Sequence, residues 1–252
     1  MAKNNHLQSD FIRLDRLLRK EALDTCSSSA AADAYAYGRA MARVENVVAV
    51  VSDMAEGTSR IFSGGFSGVL GLDGYREENS IWERRIISLM AEEEQHQKYI
   101  AELRFYHFLR QAGRGAENYY LMSRLRMTVP DGRNLEVLHR MYYLYGGDGR
   151  KVRYAVCLYG PMTVDFKGRS VVVNSITGVS EELTSSADAN ILSLREKQVL
   201  RLIDSGLKSR DIAEALHISV HTVSRHRQEI LGKLQVKNSH EACRTARTLG
   251  LL

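Results

Sequence analysis

What this 252-residue sequence lacks narrows it first. Its three cysteines, Cys26, Cys157 and Cys243, are odd in number, far apart and in no CxxC pair, so neither a disulfide framework nor a zinc site is expected. A reducing cytoplasm fits that usage. The first fifteen residues break their apolar stretch with charges and lack a signal-peptide core. No run approaches the roughly 20 apolar residues that span a bilayer, so no membrane partner is expected. Catalytic signatures are missing too: there is no nucleophile elbow, P-loop, dinucleotide fingerprint or HExxH. Gly64-Gly-Phe-Ser-Gly68 is glycine-rich but has no Lys-Ser/Thr after it. The chain is therefore not expected to be an enzyme, and no cofactor is expected.

Four further candidates resolve to ordinary roles. Asp53 follows a strand-like run but has no pair of acids ahead of it, as a phosphate-accepting receiver domain would, so it is expected to end a strand or make a turn. His96, His107 and His139 show no metal-ligand spacing and are expected to be hydrogen-bonded structural histidines.

Enough apolar material is present for a real core, at 44% of residues, and the 26% that are charged keep a surface solvated. The net charge of +5 is unevenly placed. Residues 191–252 hold eleven Lys or Arg against six Asp or Glu, and the remainder balances to zero. A neutral body with a basic tail is what a chain shows when only its tail meets a polyanion.

Along the chain, Leu7, Phe11, Leu14 and Leu18 form one stripe of a helix over about 7–24, and Ala30 to Arg43 reads as an alanine-rich second helix. Val47-Val-Ala-Val-Val51 begins a strand region, with a second strand near Ser59–Ser63. Helices are expected over Glu77–Met90, opening on Trp82 with a partly buried ring and wet neighbours, and over Glu92–Gln111. Three strands follow, Tyr119–Val129, Leu135–Tyr145 and Lys151–Tyr159. The turns Pro130-Asp-Gly132 and Gly146-Gly-Asp-Gly149 make them an antiparallel meander. Met141, Tyr143 and Tyr145 should face one side and Tyr142 and Leu144 the other, so both faces need a cover. A further strand and turn are expected over Val171–Gly178, and the polar stretch Thr184–Asn190 reads as a linker.

The last segment carries the sharpest signal. Ser193 with Glu196 forms a capping box before Val199, Leu200, Leu202 and Ile203, and Gly206 stops that helix. Ser209 should cap a short helix, Arg210–Leu216. His217-Ile-Ser219 is only a tight turn, and Ser219 should cap a third helix to about Leu234. Two short helices joined by such a turn are a helix-turn-helix. Val223, Ile230 and Leu234 fall on the third helix's buried side, and His221, Ser224, Arg225 and Gln228 on the other. A fourth helix, capped by Ser239, should close the bundle with Ala242, Ala246 and Leu249.

Leu192, Arg195-Glu196, Val199-Leu200, Gly206, Ile212-Ala213, Leu216, Ile218-Ser219, Thr222-Val223, His226, Ile230, Lys233-Leu234, Val236, Asn238 and Glu241-Ala242 together resemble the LuxR-type helix-turn-helix family. That resemblance implies a transcriptional regulator binding double-stranded DNA. It makes Ser224, Arg225 and Gln228 the base-reading candidates and Lys208, His221, Thr222, Arg227 and Lys233 the backbone-positioning candidates. Ser224 departs from the Lys that many members carry there. The strand order over Glu45–Leu183, with Trp82-Glu-Arg, Glu102-Leu-Arg-Phe-Tyr-His-Phe108 and Val137-Leu-His-Arg-Met-Tyr142, resembles a PAS-type sensor. The expected architecture is α+β: N-terminal helices and a PAS-like antiparallel sheet over 1–183, a linker over 184–190, and an all-α four-helix domain over 191–252. A homodimer controlled by a small-molecule ligand is expected. The alternative is an N-terminal domain used only for protein interaction or dimerisation.

Overall fold

The computed structural model describes residues 28–113, 115–146, 151–183, 192–234, 236, 238–248 and 251–252. The chain divides into two compact units, Met1–Glu182 and Leu183–Leu252. Mixed α+β structure fills the first and helices the second, as the sequence implies. Among the described residues no helix is long and apolar enough to cross a membrane.

The N-terminal unit opens with α1 (Ser28–Val44), then β1 (Val48–Asp53) and β2 (Thr58–Ser63). A short helix α2 (Phe66–Val69), a two-residue strand β3 (Glu77–Glu78), a short helix α3 (Arg84–Ile87) and the long α4 (Glu92–Ala112) follow. The sheet is completed by β4 (Tyr119–Thr128), β5 (Asn134–Tyr145), β6 (Val152–Pro161), β7 (Ser170–Asn174) and β8 (Ser180–Glu182), in the spatial order β3-β2-β1-β6-β5-β4-β7-β8. Each neighbouring pair is antiparallel. The meander is present: Gly132, at φ 84°, closes the β4–β5 turn by donating to the Val129 carbonyl at 2.9 Å. The helix expected over 7–24 and residues 147–150 of the second turn lie outside the described residues.

One expected element does not form. Instead of a helix over Glu77–Met90 there are β3, an irregular stretch and the single turn α3. Ser80 Oγ accepts from the Trp82 N–H at 3.0 Å, a local side-chain bond that competes with helix. Trp82 is fully buried rather than partly, edge-on to Tyr99 at 5.4 Å, and its neighbour Glu83 is buried with it.

The alternation of β5 sorts the core into two layers. On the outer face, Ala34 and Ala42 of α1 pack on Val47, Ala49, Val51, Tyr154, Val156 and Leu158. Gly38 makes this possible, because a Cβ there would lie 2.6 Å from the Val51 Cγ2. Small residues let the helix backbone settle directly on the strands. The cover foreseen for this face is thus partly supplied by α1, with Tyr120 and Tyr142 stacked beyond it at 4.9 Å.

The inner face, against α4, is unusually polar. Register places Tyr159, His139, Ser123 and Ser170 in one row across four strands, then Cys157, Met141 and Leu121 in the next, then Ser59, Ser52, Ala155 and Tyr143. Glu94, Lys98, Glu102 and Phe105 recur at intervals of four and three along α4 and so share one side of it. Glu94 ties the helix to β4 by accepting the Arg126 N–H at 3.0 Å and pairing with Arg169. Lys98 lies 2.6 Å from Glu102 and 3.4 Å from Glu83, and Glu83 also accepts the Tyr159 hydroxyl. Burial alone would favour loss of the Lys98 proton, but Glu102 and Glu83 outweigh it and hold its pKa well above the usual lysine value. Burial raises the Glu102 pKa even against Lys98.

His139 is not the hydrogen-bonded structural histidine expected. It is completely buried, its ring stacks on Tyr159 at 4.8 Å, and neither ring nitrogen has a hydrogen-bond partner among the described residues. Burial, and then the Lys98 charge, push its pKa well below the usual range, so it is a neutral imidazole. The buried Tyr143 hydroxyl also has no hydrogen-bond partner among them. Such groups cost about 1–3 kcal/mol each when left unsatisfied. Asp53 does take the turn role foreseen: its Oδ1 accepts the N–H groups of Ala55 and Glu56, and its Oδ2 pairs with Arg153 at 2.8 Å.

The charged layer sets a stability test. Lys98→Met leaves Glu83 and Glu102 buried without their cation and should lower the stability of this unit by about 3–5 kcal/mol. Adding Glu83→Gln and Glu102→Gln to it should restore much of the loss. Urea unfolding of the full chain followed through Trp82 measures both; equal stability of wild type and Lys98→Met would show that the triad contributes nothing.

Candidate nucleic-acid interface

The C-terminal unit contains α5 (Leu194–Asp204), α6 (Ser209–Ala215), α7 (Val220–Leu234) and α8 (Ser239–Thr248). Ser193 opens α5 with the capping box: Glu196 donates its N–H to Ser193 Oγ at 3.3 Å, and the Ser193 N–H donates to Glu196 Oε2 at 2.6 Å. Gly206, at φ 86°, follows the end of α5. Two caps sit one residue earlier than expected. The Lys208 N–H donates to Asp211 at 3.1 Å, making Ser209 the first residue of α6, and Asn238 rather than Ser239 accepts the Glu241 N–H at 2.9 Å.

Between α6 and α7 the chain turns at His217, which takes φ 51°. Ile218 then donates to the Ala213 carbonyl at 2.9 Å, closing α6. Ser219 caps α7 by accepting the Thr222 N–H at 3.0 Å, as its position implies. Leu192, Val199, Leu200, Ile212, Val223, Ile230, Leu234, Ala242 and Ala246 bury themselves between the four helices. Spaced at three, four and seven residues, His221, Ser224, Arg225 and Gln228 form an exposed stripe on α7 opposite Val223 and Ile230.

The eight candidate contact residues separate into two groups. Ser224, Arg225, Gln228 and His221 lie together on the exposed stripe, and Lys208 is exposed at the start of α6. Ser224 Oγ returns a bond to the Val220 carbonyl at 3.0 Å, and Arg225 pairs with Glu229 at 2.9 Å across one turn. The remaining three bond to other groups of the protein. Thr222 Oγ1 is 2.8 Å from Ser219 Oγ. Arg227 donates to Ser209 at 3.2 Å and to Ser239 at 2.9 Å, bridging α6, α7 and α8. Lys233 donates to Glu196 at 2.8 Å. Burial would raise the Glu196 pKa, but Lys233 and the Ser193 N–H outweigh it and hold the carboxyl below its usual value. Sequence reasoning missed this bracing role because Arg and Lys on a basic helix read equally as phosphate contacts.

A short helix, a tight turn and a second helix with a free polar stripe define a helix-turn-helix unit. Residues 190–246 match the profile of the luxR family of bacterial regulatory proteins, and the C-terminal unit is a luxR-type helix-turn-helix. Among relatives, the oxygen regulatory protein NreC of Staphylococcus epidermidis is 41% identical over 85 residues, covering 32% of this chain and 39% of that one. NreC of Staphylococcus aureus is 37% identical over 84 residues with the same coverage. The chain thus spans about two fifths of the length of these relatives. A structure of the Vibrio cholerae VqmA dimer is 15% identical, covering 84% of this chain and 86% of that chain at a TM-score of 0.29. Escherichia coli SdiA is 15% identical, with 96% and 98% covered at 0.27. Scores this low carry no argument about either unit.

The two arginines of α7 therefore differ in what they hold. Arg227→Ala removes two charge-assisted bonds and should lower the stability of the C-terminal unit by about 1–3 kcal/mol, whereas Arg225→Ala, losing only an exposed pair, should change it by less than about 1 kcal/mol. Calorimetry of both full-length variants decides; equal losses would remove the distinction.

Proposed function

We propose that the chain is a sequence-specific, DNA-binding transcriptional regulator. On this reading α7 lies in the major groove, with Ser224, Arg225 and Gln228 reading base edges and Lys208, His221 and Thr222 positioning the helix on the backbone. The observation that carries it is the exposed stripe on the second helix of a luxR-type helix-turn-helix, together with the basic surplus of residues 191–252. Arg225 is suited to guanine, to which its fork can donate twice, and Gln228 to adenine. Arg227 and Lys233, the other two backbone-positioning residues of this reading, also brace the helices from within.

Residues 1–183 form the controlling unit on this reading, a PAS-like sensor joined through residues 184–190 to the DNA-binding domain at 191–252. Two strands, a helical insertion and a three-strand meander that returns beside β1 support the PAS-like reading. The polar inner face favours small-molecule sensing over the runner-up, an N-terminal unit that serves only protein interaction. The chain acts as a homodimer in the cytoplasm and performs no catalysis. Light scattering should give twice the 28.4 kDa chain mass; a strict monomer at micromolar concentration would refute the dimer.

Selection of duplexes from a random-sequence pool with the full chain should enrich one motif. For that motif, Arg225→Ala should lose about 1–3 kcal/mol and relax preference at one position. Lys208→Ala should weaken enriched and scrambled duplexes alike and make the salt dependence shallower by about one unit of slope. If no motif is enriched and neither variant alters binding to any duplex, α7 does not read DNA.

A further inference from the structure

We propose that the seam between the inner face of the sheet and α4 binds a small organic cation, a protonated amine on an apolar frame. His139 and Tyr143 are its hydrogen-bonding contacts, and the Glu83–Lys98–Glu102 triad provides its counter-charge. The proposal rests on the reading of the N-terminal unit as a small-molecule sensor.

Three observations meet here. First, the unpartnered groups stand out against their surroundings. Ser52 and Ser59 bond each other at 2.8 Å and reach the Ile81 and Ser80 carbonyls, Ser123 and Ser170 bond each other at 2.9 Å, and Tyr159 donates to Glu83. Against that background both nitrogens of His139 and the Tyr143 hydroxyl find no hydrogen-bond partner among the described residues. A neutral imidazole and a phenol can each accept an N–H and still donate once. They flank Met141 on the same face of β5, and a thioether chain re-packs more readily than a branched one around a guest.

Second, the triad sets two carboxyl groups against one ammonium. Two carboxylates share one ammonium, His139 carries no charge, and Glu94 is already matched by Arg169. With both carboxyl groups ionised one negative charge is in surplus in this buried layer, and burial answers it in part by raising the Glu102 pKa. An anionic guest would add to it and a neutral one would leave it, whereas a guest with one positive charge cancels it. Third, aromatic rings pack around this layer. Phe105 stacks on Tyr143 at 5.7 Å, and Lys98 itself lies 5.7 Å from the Tyr99 ring centre, so cation–ring contact is already in use.

The test uses the full chain with benzylamine, 2-phenylethylamine and cyclohexylmethylamine, beside the alcohols and carboxylates of the same carbon frames. At least one amine should raise the melting temperature of the N-terminal unit and shift Trp82 emission saturably, with its matched alcohol and carboxylate weaker by about tenfold or more. Tyr143→Phe, which removes only a hydroxyl, and Glu102→Gln should each weaken the amine by about tenfold, and Glu102→Gln should leave the alcohol unchanged. His139→Phe should melt at or above the wild-type temperature without amine and lose the response. The proposal is overturned if no amine binds, if alcohols or carboxylates bind as well, or if His139→Phe sharply destabilises the free protein. DNA binding by the same wild-type preparation separates these failures from failure of the regulatory reading.

Discussion

The buried ammonium of Lys98 is the interaction on which the N-terminal unit turns. It reaches Glu102 within α4 and Glu83 just before α3, and through Glu83 it is joined to Tyr159 in the sheet. A single charge thereby fastens three segments that are distant in sequence. The arrangement is only stable as a set, since any one charge without its partners faces the full cost of desolvation. It also fixes the chemistry nearby, because the same ammonium helps keep His139 neutral.

Once α4 is held in this way, the outer face of the sheet must be closed by something else. Alanines and Gly38 along α1 give it a flat side, and Val51, Val156 and Leu158 offer β-branched and leucine side chains for it to lie on. The two faces of one sheet are thus built on opposite principles. Close apolar contact seals the outer one, and paired charge with a few unsatisfied groups fills the inner one. Apolar packing alone would have sufficed for stability on both sides, so the polar choice on the α4 side needs a reason outside folding.

What was legible in the sequence follows from where local and tertiary signals agree. The β4–β6 meander could be read because strict alternation, Pro130-Asp-Gly132 and the aromatic run of β5 all point to strands. The helix-turn-helix could be read because caps at Ser193 and Ser219 enclose short apolar stripes. Glu77–Met90 could not, since Ser80 and the burial of Trp82 against Tyr99 override a weak helical pattern. The inner charged layer was hidden for a similar reason. Lys98 and Glu102, one helical turn apart, look like a solvated surface pair, and only the sheet register that brings Tyr159, His139 and Cys157 beneath them reveals that they are buried.

The C-terminal unit contains a useful contrast, for it too buries a carboxylate beside a lysine. Glu196 is almost fully enclosed, yet Lys233 remains 45% exposed and the Ser193 N–H supplies a second donor. Its charge is matched one to one, half of the pair keeps its water, and the result is a brace with nothing left over. Lys98, Glu83 and Glu102 are each within a few per cent of complete burial, and two carboxyl groups there share one ammonium, which leaves a remainder when both are ionised. Folding selects against such a remainder unless something else uses it, and perturbed ionisable groups of this kind concentrate at sites of function. The brace at Glu196 explains how α5 and α7 are held for presentation of the stripe at Arg225. The remainder at Glu102, next to an imidazole and a phenol with unused hydrogen-bonding capacity, belongs to a site that is completed by a guest.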